Sequence, residues 1–158
     1  MNKLAMHIGA LRMDDQSAFL SWLSRGTRLI TIYDGSPTLR TQLAAALLVK
    51  TIVFRYNHRA AERLYGYVNA PAAFDELYTQ RFSDMSALKS SLYDPGMLVL
   101  TNVHDIPDAS IPLFLRCVQE RCDSSRVTII TTSKDGYTML YAHDDLHERI
   151  ISGRTVQL

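Results

Sequence analysis

The chain has 158 residues, which is enough for one domain with a hydrophobic core and too few for two. Its 47% hydrophobic and 21% charged residues are typical of a soluble globular protein, and its net charge of +1 gives no overall attraction to nucleic acid or to a membrane surface. No apolar run reaches the length of a membrane-spanning helix, and the first residues lack the apolar core of a signal peptide. We therefore expect one cytoplasmic domain over residues 1–158, without direct binding of DNA or a membrane.

The first part of the chain predicts a helix, a strand, a turn and a second helix. Residues 14–17 can cap a first helix, which ends at residues 25–27. The β-branched run Leu29–Tyr33 predicts a strand. A turn cluster at residues 34–38 follows, and the Ala- and Leu-rich stretch 39–50 predicts a helix.

The rest of the chain continues this alternation of strands and helices. We predict strands at 51–56, 97–100, 126–131 and 154–158, a mostly helical region at 57–94 with a break near 69–71, and helices opened by Ser110 and Pro112 and at 144–151. Strands that alternate with helices favour an α/β fold with a parallel sheet of five strands and helices on both faces.

One stretch resembles a known family. Residues 101–120 contain Asp105, Pro107, Leu115, Arg116, Gln119 and Glu120. With these identities the stretch resembles the Walker B segment and following helix in the AAA+ domain of bacterial enhancer-binding proteins, the activators of sigma-54 RNA polymerase. Residues 131–135 resemble the sensor-1 segment of that family, residues 145–150 its arginine-finger helix, and Ile8 with Gly9 the pair that opens its domain.

The resemblance implies a fold and two functional positions. The fold is a three-layer α/β/α, P-loop NTPase-like AAA+ core, and the chain ends where the family continues into a helical lid, so we expect no lid. Ser133 stands at the Asn position of sensor 1 and is sensor-like. Arg149 stands at an arginine-finger position, with a surface arginine as the alternative interpretation, and His143 stands at the other finger position.

The segment at the position of the phosphate-binding loop departs from the consensus G-x-x-x-x-G-K-[ST]. Asp34 and Leu39 replace its two glycines, and Pro37 removes a backbone donor. Arg40 replaces the lysine with a bulkier cation, and only the hydroxyl of Thr41 survives. Within the segment 34–41, the degenerate nucleotide-binding positions are Gly35, Ser36, Thr38, Arg40 and Thr41.

The Walker B acids are also missing. Thr101 and Asn102 occupy the tip of the strand where the family places an Asp for Mg²⁺ and a Glu that polarises water, and neither can act as a base. We therefore expect no ATP hydrolysis and no catalytic residue. His143 and His147, four residues apart, permit a metal site, but no partner motif accompanies them, so we expect no metal.

The loop that contacts sigma-54 in the family is lost as well. Residues 64–69 keep a possible remnant of its lead-in, and residues 70–75 keep nothing of the loop itself. The sequence thus predicts a catalytically inactive AAA+-like regulatory module, related to sigma-54-dependent activators, that associates with itself or with a partner protein and needs no cofactor. The alternatives are a non-hydrolysing switch that binds ATP or ADP, and a replication-type AAA+ accessory protein of the helicase-loader or clamp-loader kind.

Overall fold

The sheet is built from short strands that alternate with helices in a computed structural model that describes residues 21–57, 65–80 and 85–158. Its elements, in chain order, are β1 (Leu29–Tyr33), α1 (Pro37–Asn57), β2 (Tyr65–Asn69), α2 (Ala70–Thr79), α3 (Ser86–Tyr93), β3 (Met97–Thr101), α4 (Ile111–Asp123), β4 (Val127–Thr132), α5 (Lys134–Tyr141), α6 (Asp144–Ser152) and β5 (Arg154–Gln157). Two 3-10 turns, Val103–Asp105 and Asp108–Ser110, connect β3 to α4.

All strand pairs are parallel, and their order across the sheet is β2-β3-β4-β1-β5. The first strand therefore lies between β4 and β5, and β4 lies between β1 and β3. Because every strand points the same way, the segments that follow β1, β3 and β4 meet at one edge of the sheet. The α/β class and the parallel sheet of five strands, predicted from the sequence, are confirmed.

Helices cover both faces of the sheet and make three layers. On one face, α1 contributes Leu43, Ala44, Leu47 and Leu48, which pack against Ile30, Ile32, Met97, Val99, Val127 and Ile129 of the strands. On the other face, Phe74 of α2 and Phe114 of α4 meet edge to face at 5.6 Å between ring centroids. Leu146 and Ile150 of α6 join the same buried cluster. Continuous apolar strands are expected where both faces are covered.

The predicted strand at 51–56 is wrong, because α1 continues through this segment to Asn57. Leu47 and Thr51 are both buried and lie one helical turn apart, and the Thr51 hydroxyl donates to the Leu47 carbonyl at 2.9 Å. This bond satisfies a buried hydroxyl within the helix, so the β-branched run does not need a sheet.

The second strand is instead β2, within the region that the sequence predicted to be mostly helical. Gly66 allows this edge strand to approach its neighbour, since a Cβ on it would lie 2.7 Å from Leu98 Cδ1. Helix α5 was not predicted either.

The helix cap at 14–17 and the pair Ile8 and Gly9 lie outside the described residues. Within the described ranges, no separate helical lid is present and no helix is both long and apolar enough to cross a membrane.

Candidate functional site

Three of the predicted groups meet at the carboxyl edge of the sheet. The loop 34–41 follows β1, Thr101 and Asn102 stand at the end of β3, and Ser133 follows β4. Ligands of open parallel sheets bind at this edge, in the crevice beyond the strand ends. The candidate site is therefore the space between these three segments.

The loop after β1 turns through two residues with left-handed backbone. Asp34 has φ 68° and Gly35 has φ 62°. Ser36 then caps α1, because its Oγ accepts from the Leu39 N–H at 3.2 Å, and Pro37 is the first helical residue. Leu39, at the second glycine position of the consensus, thus lies in the first turn of α1. Asp34, at the first glycine position, adopts left-handed backbone although it is not a glycine.

The Arg40 side chain folds back into this loop. Its Nη1 donates to the Asp34 carbonyl at 3.0 Å and to the Gly35 carbonyl at 2.8 Å, and the residue is only 3% exposed. Burial lowers the pKa of the Arg40 guanidinium, and the carboxylates of Asp34 and Asp105 oppose that shift. Two carbonyl oxygens of the loop therefore bind a cation from its own chain, whereas a phosphate-binding loop binds an anion with N–H groups.

The end of β5 holds the loop in this conformation. Asp34 Oδ2 accepts from Gln157 Nε2 at 3.1 Å, and Asp34 Oδ1 accepts from the Gly35 N–H at 2.9 Å. The bond from Gln157, and then that from Gly35, keep the pKa of the Asp34 carboxyl below its usual value. The Leu158 N–H donates to the Tyr33 carbonyl at 3.0 Å, which places the Leu158 side chain against Gly35. Contacts from the end of β5 and bonds within the loop thus fix the conformation of Asp34 and Gly35.

The two remaining loop residues of the prediction play minor parts. Thr38 is exposed, and Thr41 is half-buried with its hydroxyl hydrogen-bonded to Tyr67 of β2. Burial raises the pKa of Tyr67, and the bond with Thr41 partly offsets this. The surviving hydroxyl of the consensus therefore has a protein partner.

The tip of β3 offers no carboxylate. Thr101 is buried and its Oγ1 donates to the Val68 carbonyl of β2 at 3.4 Å. Asn102 has left-handed backbone, φ 55°, and its N–H donates to Thr131 Oγ1 at 3.0 Å. Both residues link neighbouring strands, and neither can accept a proton from an attacking water.

Ser133 and His104 form a contact that the sequence did not predict. The Ser133 N–H donates to His104 Nδ1 at 3.2 Å, so that nitrogen carries no proton, and His104 Nε2 lies 3.4 Å from Asp105 Oδ2. Ser133 Oγ accepts from the Gly136 N–H at 3.0 Å and caps α5. A Cβ on Gly136 would clash with Thr132 and His104, so glycine permits this close packing. No local sequence pattern indicates this pairing of His104 with Ser133, which lie 29 residues apart.

Arg149 lies away from this edge. It stands near the end of α6, and its Nη2 contacts Asp123 Oδ1 of α4 at 2.9 Å. With Cys122 and Gly26 it lines a small cavity of about 200 Å³ beside Leu29, the first residue of β1. The structure therefore places the finger-like arginine at the amino edge of the sheet, paired within its own chain.

The two histidines considered for a metal do not form a cluster. His147 Nδ1 lies 2.9 Å from the Tyr141 carbonyl, and His143 is exposed at the start of α6. In the described part of the chain, no group of three His, Cys, Asp or Glu residues is arranged to hold a metal ion.

The fold is similar to that of known replication proteins. No protein-family model matches the sequence, and no curated protein is similar to it by sequence. Domain III of the replication initiation protein DnaA from Thermotoga maritima superposes with a TM-score of 0.71 at 14% identity, over 92% of this chain and 61% of that one. AMPPCP-bound DnaA from Aquifex aeolicus gives 0.66 at 15% identity, over 90% of this chain and 44% of that one.

The DnaC helicase loader gives a TM-score of 0.66 at 16% identity, over 90% of this chain and 86% of that one. These likenesses show that the fold is that of AAA+ domains. The chain spans less than two thirds of the DnaA structures and most of the helicase loader.

Proposed function

We propose that this protein is a replication-type AAA+ accessory protein, similar to a helicase loader, that acts by binding another protein and does not hydrolyse ATP. The observation that carries this proposal is the Arg40 guanidinium, which is bonded to the carbonyls of Asp34 and Gly35 inside the loop where phosphate would be held. The fold and the coverage of most of a helicase loader support the replication side of the proposal.

The electrostatics of the site argue against turnover. Phosphoryl transfer depends on donors and cations that face the phosphates and on a carboxylate that orients the water. Here the loop carbonyls face inward toward Arg40, and Thr101 and Asn102 stand at the tip of β3 without a carboxylate. A non-hydrolysing nucleotide switch would need Arg40 to leave the loop, so we rank it second.

A role in sigma-54-dependent transcription ranks below replication. Of the residues in 101–120 that carry that resemblance, Arg116 and Glu120 form an exposed ion pair at 2.8 Å. Surface pairs of this kind contribute little to stability, and they are not tied to one function. The solved structures similar to this chain that we report above are replication proteins.

The test combines binding and turnover. The full chain is mixed with the replicative helicase of its source organism, and the mass of the complex is measured by light scattering with and without ATP and Mg²⁺. We expect a complex whose formation does not depend on nucleotide, and phosphate release at the level of a protein-free blank. The variant Arg40→Lys, which restores the consensus lysine, should also show no turnover because Thr101 and Asn102 remain.

Two results would contradict the proposal. One is absence of a complex with the helicase under both conditions. The other is phosphate release that increases with protein concentration and disappears in Thr41→Ala. A chain that only self-associates in the same measurement would support the alternative of a self-assembling module.

A further inference from the structure

We infer that residues 34–40 form a cation-binding cradle for a guanidinium group, of opposite polarity to a phosphate-binding loop, and that Arg40 is its built-in occupant. The carbonyl oxygens of Asp34 and Gly35 converge on one nitrogen, Arg40 Nη1, at 3.0 and 2.8 Å. This inference deepens the proposed function, since it states why the site takes no nucleotide, but its test needs no partner protein.

Three backbone donors of the segment are already used. The Gly35 N–H is bonded to the Asp34 carboxylate, the Leu39 N–H to Ser36 Oγ, and the Arg40 N–H to the Ser36 carbonyl at 3.1 Å. Pro37 has no N–H to offer. An anion that took the place of the Arg40 guanidinium would meet the carbonyl oxygens of Asp34 and Gly35, which repel it.

The charges around the loop favour a cation. The carboxylates of Asp34 and Asp105 both stabilise the charged form of Arg40. Asp34 is held in place by Gln157 at 3.1 Å, so its negative charge stays beside the loop. A guanidinium nitrogen suits this arrangement, because Nη1 carries two N–H groups and can donate to both carbonyls at once.

The cradle does not satisfy the whole guanidinium. Arg40 Nε is buried and has no hydrogen-bond partner among the described residues. The carbonyl bonds are both made by Nη1, at the far end of the side chain. The cradle therefore binds the tip of the guanidinium group and not the Nε that joins it to the side chain. A free guanidinium ion can thus occupy the cradle once the Arg40 side chain is removed.

The experiment is chemical rescue of Arg40→Ala in the full chain, measured by thermal unfolding. Truncation should lower Tm by about 5 °C, because two charge-assisted bonds are lost and their carbonyls remain. Methylguanidinium chloride should then raise Tm by about 3 °C when its concentration reaches about ten times its Kd. Inorganic phosphate and ATP should raise the Tm of neither the wild type nor the variant, relative to equal NaCl.

The matched control is Leu43→Ala, which removes another buried side chain from the same helix and leaves an apolar space. Methylguanidinium should not raise its Tm. If Arg40→Ala does not fold, the expected result is that methylguanidinium, and not NaCl, recovers folded protein on refolding.

Three results would overturn the inference. They are equal effects of methylguanidinium on Arg40→Ala and Leu43→Ala, no effect on Arg40→Ala or its refolding, and stabilisation of the wild type by phosphate or ATP. Failure of the helicase-binding test would instead contradict the proposed function and leave the cradle unaffected.

Discussion

Two buried arginines occupy opposite edges of the sheet and differ in how well they are bonded. Arg121 of α4 has no exposed surface, and its donors reach Thr128 Oγ1 and the carbonyls of Leu92, Tyr93, Pro95 and Val127, at 2.7 to 3.3 Å. Arg40 is nearly as buried, yet in the described part of the chain Nη1 makes its two carbonyl bonds and Nε has no partner.

The difference separates Arg121, which we call the structural clamp, from Arg40, which lies at the candidate functional site. Neither guanidinium has a carboxylate in direct contact among the described residues, so each buried charge is stabilised by carbonyl oxygens. Arg121 joins α4 to the segments that precede β3 and begin β4, and every one of its nitrogens is used. Arg40 is incompletely bonded at the edge where ligands of this fold bind. Arg40 thus combines a buried charge, an unpartnered Nε and a place at the ligand-binding edge of the sheet.

The largest expected effect is the loss of Arg121. Burial lowers the pKa of Arg121 to about 10, and several carbonyls depend on its donors. We expect Arg121→Leu to reduce the free energy of unfolding by about 3–5 kcal/mol, measured by urea denaturation, because those carbonyls would stay buried without partners. The matched control is Arg116→Leu on the same helix, whose side chain is 73% exposed and which should change stability by less than about 1 kcal/mol. Equal losses in the free energy of unfolding for Arg121→Leu and Arg116→Leu would contradict the structural role of Arg121.

Lysine at each position sharpens the comparison. A lysine keeps the charge but cannot place donors in a planar fork. Arg121→Lys should therefore cost more than Arg40→Lys, by about 1–2 kcal/mol in the free energy of unfolding, because five bonds are at stake in one case and two in the other. A larger decrease in the free energy of unfolding for Arg40→Lys than for Arg121→Lys would show that the bonds of Arg40 contribute more to stability than those of Arg121.

The smallest effect concerns the thiol beside the clamp. Burial raises the pKa of Cys117 to about 12, against a smaller opposing effect of Arg121. The folded thiol therefore stays protonated at pH 9 and above while an unfolded one ionises, so this group's contribution to stability falls as the pH rises from 9 toward 12. Alkylation at pH 8 should modify Cys117 only at the rate of unfolding, as read by mass spectrometry.

The control for that experiment is the wild type in denaturant, where both cysteines should react quickly. Burial also raises the pKa of Cys122, which is only partly covered, so we expect it to react before Cys117. Rapid labelling of Cys117 in the folded protein would contradict the close packing around Arg121.

The sequence predicted the parts of the fold that depend on local pattern. The apolar runs of β1, β3 and β4 were placed within a residue of their observed ends. Residues 51–56 were misassigned because the β-branched run Thr51, Ile52 and Val53 has the composition of a strand, although it continues α1 and only Thr51 of the three is buried. Edge strand β2 was missed because Tyr65–Asn69 carries a glycine and little apolar character.

The site was predictable in position but not in chemistry. Once the strands were placed, the rule that parallel strands end at one edge accounts for the meeting of Thr101, Ser133 and the loop 34–41. The inward fold of Arg40 could not be predicted, since it depends on the backbone of Asp34 and Gly35. Arg121 did leave a signal, because it lies one turn after Cys117 on the apolar stripe of α4.

Nucleotide binding by the wild-type chain tests the central claim most directly. Isothermal calorimetry with ATP and ADP, in Mg²⁺ and in EDTA, should give no binding heat at millimolar nucleotide, because Arg40 fills the loop and the loop's carbonyls face inward. Saturable binding at micromolar nucleotide that is lost in Thr41→Ala would contradict the account and restore the nucleotide switch.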